Sequence, residues 1–180
     1  ILPLLTNLGY NLVFSRQTEE FNGKTFNIHY RDSQLDGFPV FIAGFNESLD
    51  KRPENKQLRV SPHALVQEYL NYSEHLYGLV TNGRQLRLLR DASRITRLSY
   101  VEFNLETMME EDLYSDFVLF FRLLHSSRMP LKVDAGAEII IEKYHQEGLA
   151  AGSTIRSKLG DAVKDTIRVL ANGFITHPDN

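Results

Sequence analysis

The sequence predicts an α/β fold with a mixed central sheet and flanking helices, and three observations support this prediction. Asn82-Gly83 lies between two short β-prone runs and is a strong hairpin signal, because a type I′ turn needs positive φ at both central residues. Ser61-Pro62 indicates a helix start, with Ser as the N-cap and Pro in the first turn. Residues 40–45 form a continuous apolar run, which is typical of a central strand buried on both faces.

Before this apolar run, the sequence predicts a short helix and two short strands that are separated by turns. Residues 1–8 are predicted to end a helix that Gly9 caps. Residues 11–15 and 25–30 read as strands, separated by turn-forming residues at 19–24. In the second strand, apolar and polar residues alternate, so odd-numbered and even-numbered side chains are predicted to face opposite sides.

After a polar loop at residues 47–58, the helix that begins at Ser61 leads into the hairpin and a later strand at 98–103. From residue 104 the apolar spacing is helical, so we predict a mixed domain at 1–103 and a helical part at 104–180. The predicted helices are residues 112–127, residues 135–147 and, after a break at 148–152, a helix from Ser153.

Composition limits the function. With 180 residues, 42% of them apolar, the chain is long enough to bury a core. The net charge of −3 argues against a protein that is basic throughout, so any DNA contact must come from a local patch. The absence of cysteine excludes disulfides, thiolate catalysis and cysteine-ligated zinc.

The sequence also bears on location. No run of about 18 apolar residues occurs, so no membrane span or membrane partner is predicted. The start at Ile1 lacks the pattern of a signal peptide, and both ends look cut. We expect a cytoplasmic protein, and we expect these residues to be a piece of a larger polypeptide.

The helix-to-hairpin segment and the tail carry a resemblance to a known family. The matching residues are Ser61-Pro62, Gln67, Tyr69, Tyr72, residues 77–83, Arg87-Leu88-Leu89, residues 142–152, Arg156 and residues 159–173. They resemble the N-terminal nuclease-fold region and helical connector of fused restriction–modification proteins, the type IIG-like adenine-specific DNA methyltransferases that include phage-defence methylases. This resemblance covers nearly the whole chain.

The resemblance implies a restriction-endonuclease-like sheet in residues 1–103 and a helical connector in residues 104–180. It also implies two partners, DNA and a methyltransferase domain downstream in the same polypeptide. S-adenosylmethionine would bind that downstream domain, since residues 1–180 contain neither a glycine-rich cofactor loop nor an Asn-Pro-Pro-aromatic motif.

The family's nuclease site needs an acidic residue near one strand and Glu-x-Lys or Asp-x-Lys on the next. Two carboxylates then hold a divalent metal that activates water and stabilises charge on the phosphate. The matching strand here places Ala43 and Phe45 at the acid and lysine positions. Neither residue binds a metal, so the resemblance implies a nuclease-like module that assists DNA binding and positioning and does not cleave.

Two alternatives remain open at the level of sequence. A working endonuclease would use Asp36 and Glu47 with magnesium, and Gln67 would contact the substrate beside the metal. Asp32 and Asp50 are acidic neighbours of the same segment. Gln67 can equally be a helix residue that caps a neighbouring backbone group. In the other alternative, the chain is a protein-interaction scaffold without a DNA role.

Arginines after the hairpin turn are the predicted DNA contacts. They are Arg84, Arg87, Arg90 and Arg94, followed by Arg97. Their forked donors suit phosphate oxygens, although Arg87 and Arg90 would point to opposite faces of a strand. The competing interpretation is a solvated strand edge with ion pairs to the acidic run that starts at Glu106. The six histidines lack metal-ligand spacing, so no metal site is predicted from them.

Overall fold

The computed structural model describes residues 1–54, 58–93 and 99–177, and it is a mixed α/β structure. It divides into two compact units, Ile1–Ile139 and Ile140–Asn180. The strands are β1 (Leu12–Phe14), β2 (Glu19–Phe21), β3 (Lys24–Phe26), β4 (Tyr30–Asp32), β5 (Phe38–Ile42), β6 (Tyr77–Thr81), β7 (Gln85–Arg90) and β8 (Tyr100–Asn104). The helices are α1 (Leu2–Asn7), α2 (Pro62–Tyr72), α3 (Leu105–Glu110), α4 (Tyr114–Leu124) and α5 (Ile140–Ile175). Two short 3₁₀ segments, Ser126–Arg128 and Val133–Glu138, follow α4.

Six strands form the main sheet, in the order β1-β4-β5-β6-β7-β8. The neighbours are antiparallel except β5 and β6, which run parallel and are joined through α2. A parallel pair needs such a crossover because its strands start at the same edge of the sheet. β2 and β3 form a separate hairpin. The predicted α/β class with a mixed sheet is therefore confirmed.

Helices cover both faces of the sheet. On one face α2 contributes Val66, Tyr69 and Leu70 to a buried cluster that includes Val80 and Leu89 of the sheet. On the other face the ring of Phe120 in α4 meets that of Phe103, with centroids 5.2 Å apart. Leu105 and Met108 of α3 are buried as well. The predicted boundary after residue 103 therefore lies inside the first unit, because α3 and α4 pack on the strands before them.

The local signals for α1 and α2 are confirmed, and the one for β5 is confirmed in part. Gly9 follows α1 with φ of +84°. Ser61 caps α2, and its hydroxyl accepts a hydrogen bond from the Ala64 N–H at 3.2 Å. The strand predicted at 40–45 is confirmed only in part, because β5 ends at Ile42 and Phe45 is 58% exposed, while Phe38 and Pro39, which were predicted to interrupt the strand, are its first two buried residues. Each is a case in which a short stretch of sequence determines its own structure.

Three local predictions are corrected. Residues 19–24 contain β2 as well as a turn, whose Asn22 and Gly23 both have positive φ. The single strand predicted at 25–30 is divided between β3 and β4, although the predicted alternation of buried and exposed residues holds. The hairpin between β6 and β7 is confirmed, but only Gly83 there has positive φ, so the type I′ turn is wrong. Asn82 instead caps the turn with its side chain.

The second unit contains α5, which runs over 36 residues. The break predicted at 148–152 is wrong, because Gly148 and Gly152 lie within the helix. Each glycine weakens a helix by about 1 kcal/mol relative to alanine, which the good helix formers between them, Leu149 and two alanines, can tolerate. Within the described part of the chain, no helix combines the length and the apolar character needed to cross a membrane.

Asp32 is a buried acid with a structural role at the end of β4. Its Oδ2 accepts a hydrogen bond from the Asn11 N–H at 2.6 Å, and its Oδ1 accepts from the N–H groups of Gln34 and Leu35 at 2.8 and 3.0 Å. The side chain is fully buried. This carboxylate therefore holds together the chain before β1 and the turn after β4.

We predict that Asp32→Asn lowers the free energy of unfolding by about 2–4 kcal/mol, since one buried acceptor becomes a donor that faces N–H groups. Urea titration measures the effect. Asp36→Asn is the matched control, because Asp36 accepts one N–H, from Val133 at 3.2 Å, and Asn tolerates its positive φ. Equal losses in the two variants would contradict the structural role of Asp32.

Candidate functional site

The carboxyl ends of β5 and β6 and the hairpin tip form a polar surface, which we call the strand-end surface. Its main residues are Phe45, Glu47, Asn82, Arg84, Gln85 and Asn104, which line a cavity of about 340 Å³. The parallel pairing of β5 with β6 brings these residues together, because both strands end at this edge. It is also the edge at which the sequence predicted a lost nuclease site.

Hydrogen bonds fix the hairpin tip. The Asn82 Oδ1 accepts from the N–H groups of Arg84 and Gln85 at 3.0 and 2.9 Å, and its Nδ2 donates to the Glu47 carbonyl at 2.8 Å. The Thr81 hydroxyl donates to the Gln85 carbonyl at 2.7 Å and accepts from the Gly83 N–H at 3.0 Å. The tip is therefore held rigidly against the turn that follows β5.

An exposed aromatic ring and a guanidinium group lie together on this surface. The Phe45 side chain is 58% exposed, and the Arg84 guanidinium carbon lies 4.8 Å from the centre of its ring. The Arg84 Nε also pairs with Glu106 Oε1 at 3.1 Å. This arrangement offers a stacking surface beside a cation, which are two groups that nucleic acids contact.

A second cavity, which we call the β5 pocket, opens beside the first. Its volume is about 510 Å³, and its described walls include Asn27, His29, Phe41, Ala43, Glu47 and Leu58. Ala43, the residue at the predicted acid position, lines it. Its walls are partly apolar and partly polar, and no motif in the sequence pointed to it.

The structure does not bring the three predicted catalytic residues together. Asp36 precedes β5 and contacts Val133, whereas Glu47 follows β5 and accepts a hydrogen bond from the Gly44 N–H at 3.0 Å. Gln67 donates to the Arg90 carbonyl at 2.8 Å. Arg90, the partner of Gln67, lies opposite the first residue of β6. Glu47 contacts Asn82, which follows the last residue of β6. Gln67 and Glu47 are therefore separated by about the length of that strand.

The contact made by Gln67 is the backbone cap that the sequence offered as its second interpretation. Among the described residues, no group of three or more acidic or histidine side chains is placed to hold a metal ion.

The predicted arginine contacts occupy different environments. Arg84 is exposed at the hairpin tip, and Arg90, at the far end of β7, donates to the Asp91 carbonyl at 3.0 Å. Arg87 lies between them and is buried. Arg94 and Arg97 fall outside the described residues. Arg84, Arg87 and Arg90 therefore do not form one continuous patch. The ion pair between Arg84 and Glu106 is one that the competing interpretation predicted.

Arg87 is the buried centre of a charged cluster that the sequence did not reveal. Its guanidinium binds both carboxylate oxygens of Asp50, at 2.6 and 2.8 Å, and donates through Nε to Glu102 at 2.5 Å. It also lies over the ring of Tyr100 and within 3.0 Å of His63 Nδ1. One sequence signal could have indicated that Arg87 is buried, since it stands between the apolar residues Leu86 and Leu88 of β7. Its partners lie 15 to 37 residues away, beyond any local pattern.

The cluster fixes the state of its histidine and lowers the pKa of one carboxylate. An arginine only donates hydrogen bonds, so His63 Nδ1 must accept and the neutral ring carries its proton on Nε2. Burial, and then the charge of Arg87, lower the pKa of His63. The hydrogen bonds from Arg87 lower the pKa of Asp50. Near neutral pH these two pKa shifts favour a neutral His63 and an ionised Asp50, which are the states that the contacts with Arg87 require.

No family model, curated protein or solved structure matches this chain.

We predict that His63 makes the folded state less stable in mild acid. Its folded pKa is lowered, so between about pH 7 and 5 the unfolded chain binds the proton first, and stability falls as the pH falls. His63→Gln keeps an acceptor for Arg87 and should flatten this part of the curve. Urea titrations at several pH values measure it.

The pH dependence of stability that remains in His63→Gln is expected to come from another histidine. Burial, and then the charge of Arg31, also lower the pKa of His75, so His75→Gln should remove a separate share. Asp50 also makes stability fall as the pH falls, but only below about pH 4, because the ordinary pKa of a carboxyl group is near 4 and that of Asp50 is lower still. A pH dependence that is unchanged in His63→Gln would contradict the assigned state of His63.

Proposed function

We propose that this chain is a nuclease-like module that does not cleave DNA and that assists DNA binding and positioning for a methyltransferase. The order of elements supports a restriction-endonuclease-like fold, with antiparallel strands, a crossover helix and a parallel strand in one mixed sheet. In this proposal the methyltransferase is a downstream domain of a cytoplasmic restriction–modification or phage-defence protein, and it binds S-adenosylmethionine.

The observation that carries the proposal is the chemistry at the end of β5. Ala43 lines the β5 pocket, and Phe45 stands on the surface beside Arg84, so neither side chain can bind a cation as a ligand. The nearby acids are committed elsewhere, since Asp32 accepts three backbone hydrogen bonds and Asp36 lies at the other end of β5. A fold of this kind can keep its DNA-binding role after it has lost the metal ligands.

The DNA contact that we propose uses the strand-end surface. Phe45 offers a ring on which a base can stack, and Arg84 offers a donor to phosphate. The amides of Gln85 and Asn104 line the same cavity. Arg90 and Arg94 remain proposed contacts outside this surface. Arg87 is reassigned to the scaffold, because its buried guanidinium already donates to the carboxylates of Asp50 and Glu102.

Two alternatives stay testable. An active endonuclease would need magnesium, Asp36 and Glu47, with Gln67 beside them.

A protein-interaction scaffold without a DNA role is favoured by one feature of α5. Six apolar residues, each 50–73% exposed, recur at helical spacing: Ile155, Leu159, Val163, Ile167, Leu170 and Phe174. Such a stripe is typical of a helix that docks on another surface.

We predict no nicking of supercoiled plasmid in magnesium or manganese. The reason is that the residues at the acid and lysine positions cannot assemble a two-carboxylate metal site. Agarose electrophoresis after long incubation measures the result. Cleavage that disappears in Asp36→Ala and Glu47→Ala, and persists in the exposed-surface control Asp116→Ala, would establish the endonuclease alternative instead.

We predict that the chain binds duplex or single-stranded DNA with an affinity that falls as salt rises. Phe45→Ala should weaken binding by about 1–3 kcal/mol through lost stacking, and Arg84→Ala should reduce the salt slope by about one phosphate contact. Glu106→Gln should strengthen binding, since it releases Arg84 from its ion pair. Fluorescence anisotropy at several salt concentrations measures all three.

The matched control is Arg122→Ala, which removes an exposed arginine on α4 that does not line the cavity of the strand-end surface. Loss of affinity in Arg122→Ala equal to that in Arg84→Ala would show that binding is a general charge effect. No salt-dependent binding in any variant would favour the scaffold alternative.

A further inference from the structure

We infer that an apolar groove between α3 and α4 binds a basic amphipathic helix of a partner protein. This inference goes beyond the proposed DNA contact and does not rest on it. The groove, which we call the α3–α4 groove, has a volume of about 380 Å³. Its described walls are Met108, Met109, Asp112, Leu113, Tyr114 and Phe117.

Helix α4 is apolar on more of its surface than a single buried face requires. Only Ser115, Asp116 and Arg122 among its 11 residues are neither aliphatic nor aromatic. Phe120 and Leu124 are fully buried, and they account for one face. A helix that is apolar on most sides is normally covered on most sides, so a second face of α4 can receive a partner.

This second face of α4 carries aromatic rings along the groove. Tyr114, Phe117 and Phe121 follow one another at spacings of three and four residues, so they lie along one side of the helix. Tyr114 is 77% exposed and Phe121 is 41% exposed. The rings of Phe117 and Phe121 have centroids 6.4 Å apart. The stripe extends the groove over about two helical turns, or about 10 Å.

The open walls of the groove fit a helix better than a small molecule. A small-molecule site usually buries about 70–90% of its ligand, and walls as exposed as Tyr114 and Met109 do not enclose one. An amphipathic helix instead lays an apolar stripe into such a groove, with anchors at spacings of three and four residues. Met108 and Met109 add flexible side chains that adapt to the shape of a partner.

Carboxylates beside the groove specify a basic partner. Residues 105–117 contain five acids and no lysine or arginine. Glu106 pairs with Arg84, and the other four acids are exposed: Glu110, Glu111, Asp112 and Asp116. Four carboxylates within seven residues repel one another, and lysine or arginine side chains of a docked helix would relieve this repulsion.

The same negative charge disfavours other occupants. The phosphates of a nucleic acid and the anionic surface of a membrane would meet carboxylates of like sign. Among the described residues, no group of three or more acidic or histidine side chains is placed to hold a metal ion. The described acids therefore form a charged rim beside an apolar surface, which is the complement of a basic amphipathic helix.

The test uses the full 180-residue chain and three designed peptides as probes. The first is a labelled peptide of leucine and lysine, about 18 residues long, with its leucines at helical spacing on one face. The second has glutamate in place of lysine, and the third has the composition of the first in an order without an apolar face. Fluorescence anisotropy should show saturable binding of the first peptide alone, and this binding should weaken as salt rises.

Apolar variants locate the site on the groove. Tyr114→Ser and Met109→Ser should each weaken binding about tenfold or more, which corresponds to ~1.4 kcal/mol. Both side chains are at least half exposed, so their replacement leaves the fold intact. Leu119→Ser is the matched control and should bind like the parent. Leu119 is as exposed as Met109, but it lies two residues from Phe117 and so about 200° around α4.

Charge variants separate the rim from the net charge of the chain. The combination of Glu110→Gln, Asp112→Asn and Asp116→Asn should weaken binding about tenfold and reduce its salt dependence. The control combines three replacements at exposed acids outside the described walls of the groove: Glu20→Gln, Glu54→Gln and Glu74→Gln. It changes the net charge by the same amount and should bind like the parent.

Circular dichroism with thermal unfolding shows whether each variant folds. If an apolar variant does not fold, the comparison of the two charge combinations decides alone. The inference is overturned if the leucine–lysine peptide does not bind, or if the glutamate or reordered peptide binds equally well. Equal loss of affinity in the groove variants and in their controls would overturn it as well.

Discussion

The buried guanidinium of Arg87 connects more separate parts of this structure than any other contact described above. It joins β7 to the loop after β5 through Asp50, to the start of α2 through His63, and to β8 through Glu102. Taking a guanidinium out of water is expensive, and the loss is repaid only when its donors are well satisfied. Both edges of the guanidinium meet carboxylates here, and the bidentate contact with Asp50 suits its planar fork.

The position of this cluster determines the geometry of the strand-end surface. Asp50 stands three residues after Glu47, in the segment that returns from β5 toward α2. With Asp50 held by Arg87 and the Glu47 carbonyl held by Asn82, the turn after β5 is attached to the sheet at two points. Phe45 and the wall of the β5 pocket lie within or beside this turn. A replacement of Arg87 would therefore disturb the proposed binding surface indirectly, through the fold, and would mimic the loss of a DNA contact.

The sequence predicted the features that depend on neighbouring residues. The N-cap at Ser61 and the cap at Gly9 were confirmed, and the buried strand β5 was confirmed in part, because each depends on a few adjacent side chains. The turn at Asn82 was predicted with the wrong geometry, since the contact between its side chain and the Glu47 carbonyl spans 35 residues. The break at 148–152 was wrong because glycine weakens a helix without ending it.

The site was harder to predict than the fold, for a related reason. Residue type indicated that arginines after the hairpin could contact phosphate, but it could not show that Arg87 meets carboxylates from residues 50 and 102. The β5 pocket had no signal, because its described walls combine residues 27 and 29 with residues 41–44, 47, 53 and 58. What the sequence did provide, through the resemblance, was the prediction that Ala43 and Phe45 stand where a nuclease would need an acid and a lysine, and this stays a prediction.

Under the proposed function, restoring a metal site would take more than changing Ala43 and Phe45. Placing a glutamate at position 43 would not recreate the constellation, because Asp32 is opposite Phe38, at the other end of β5 from Ala43. Withdrawing Asp32 from its three backbone donors to meet a metal would leave buried N–H groups unpaired. The acids near this sheet have thus been built into turns and ion pairs, which stabilise the scaffold. Such a scaffold holds an exposed ring and a guanidinium at one edge of the sheet, and the proposed binding function depends on these groups.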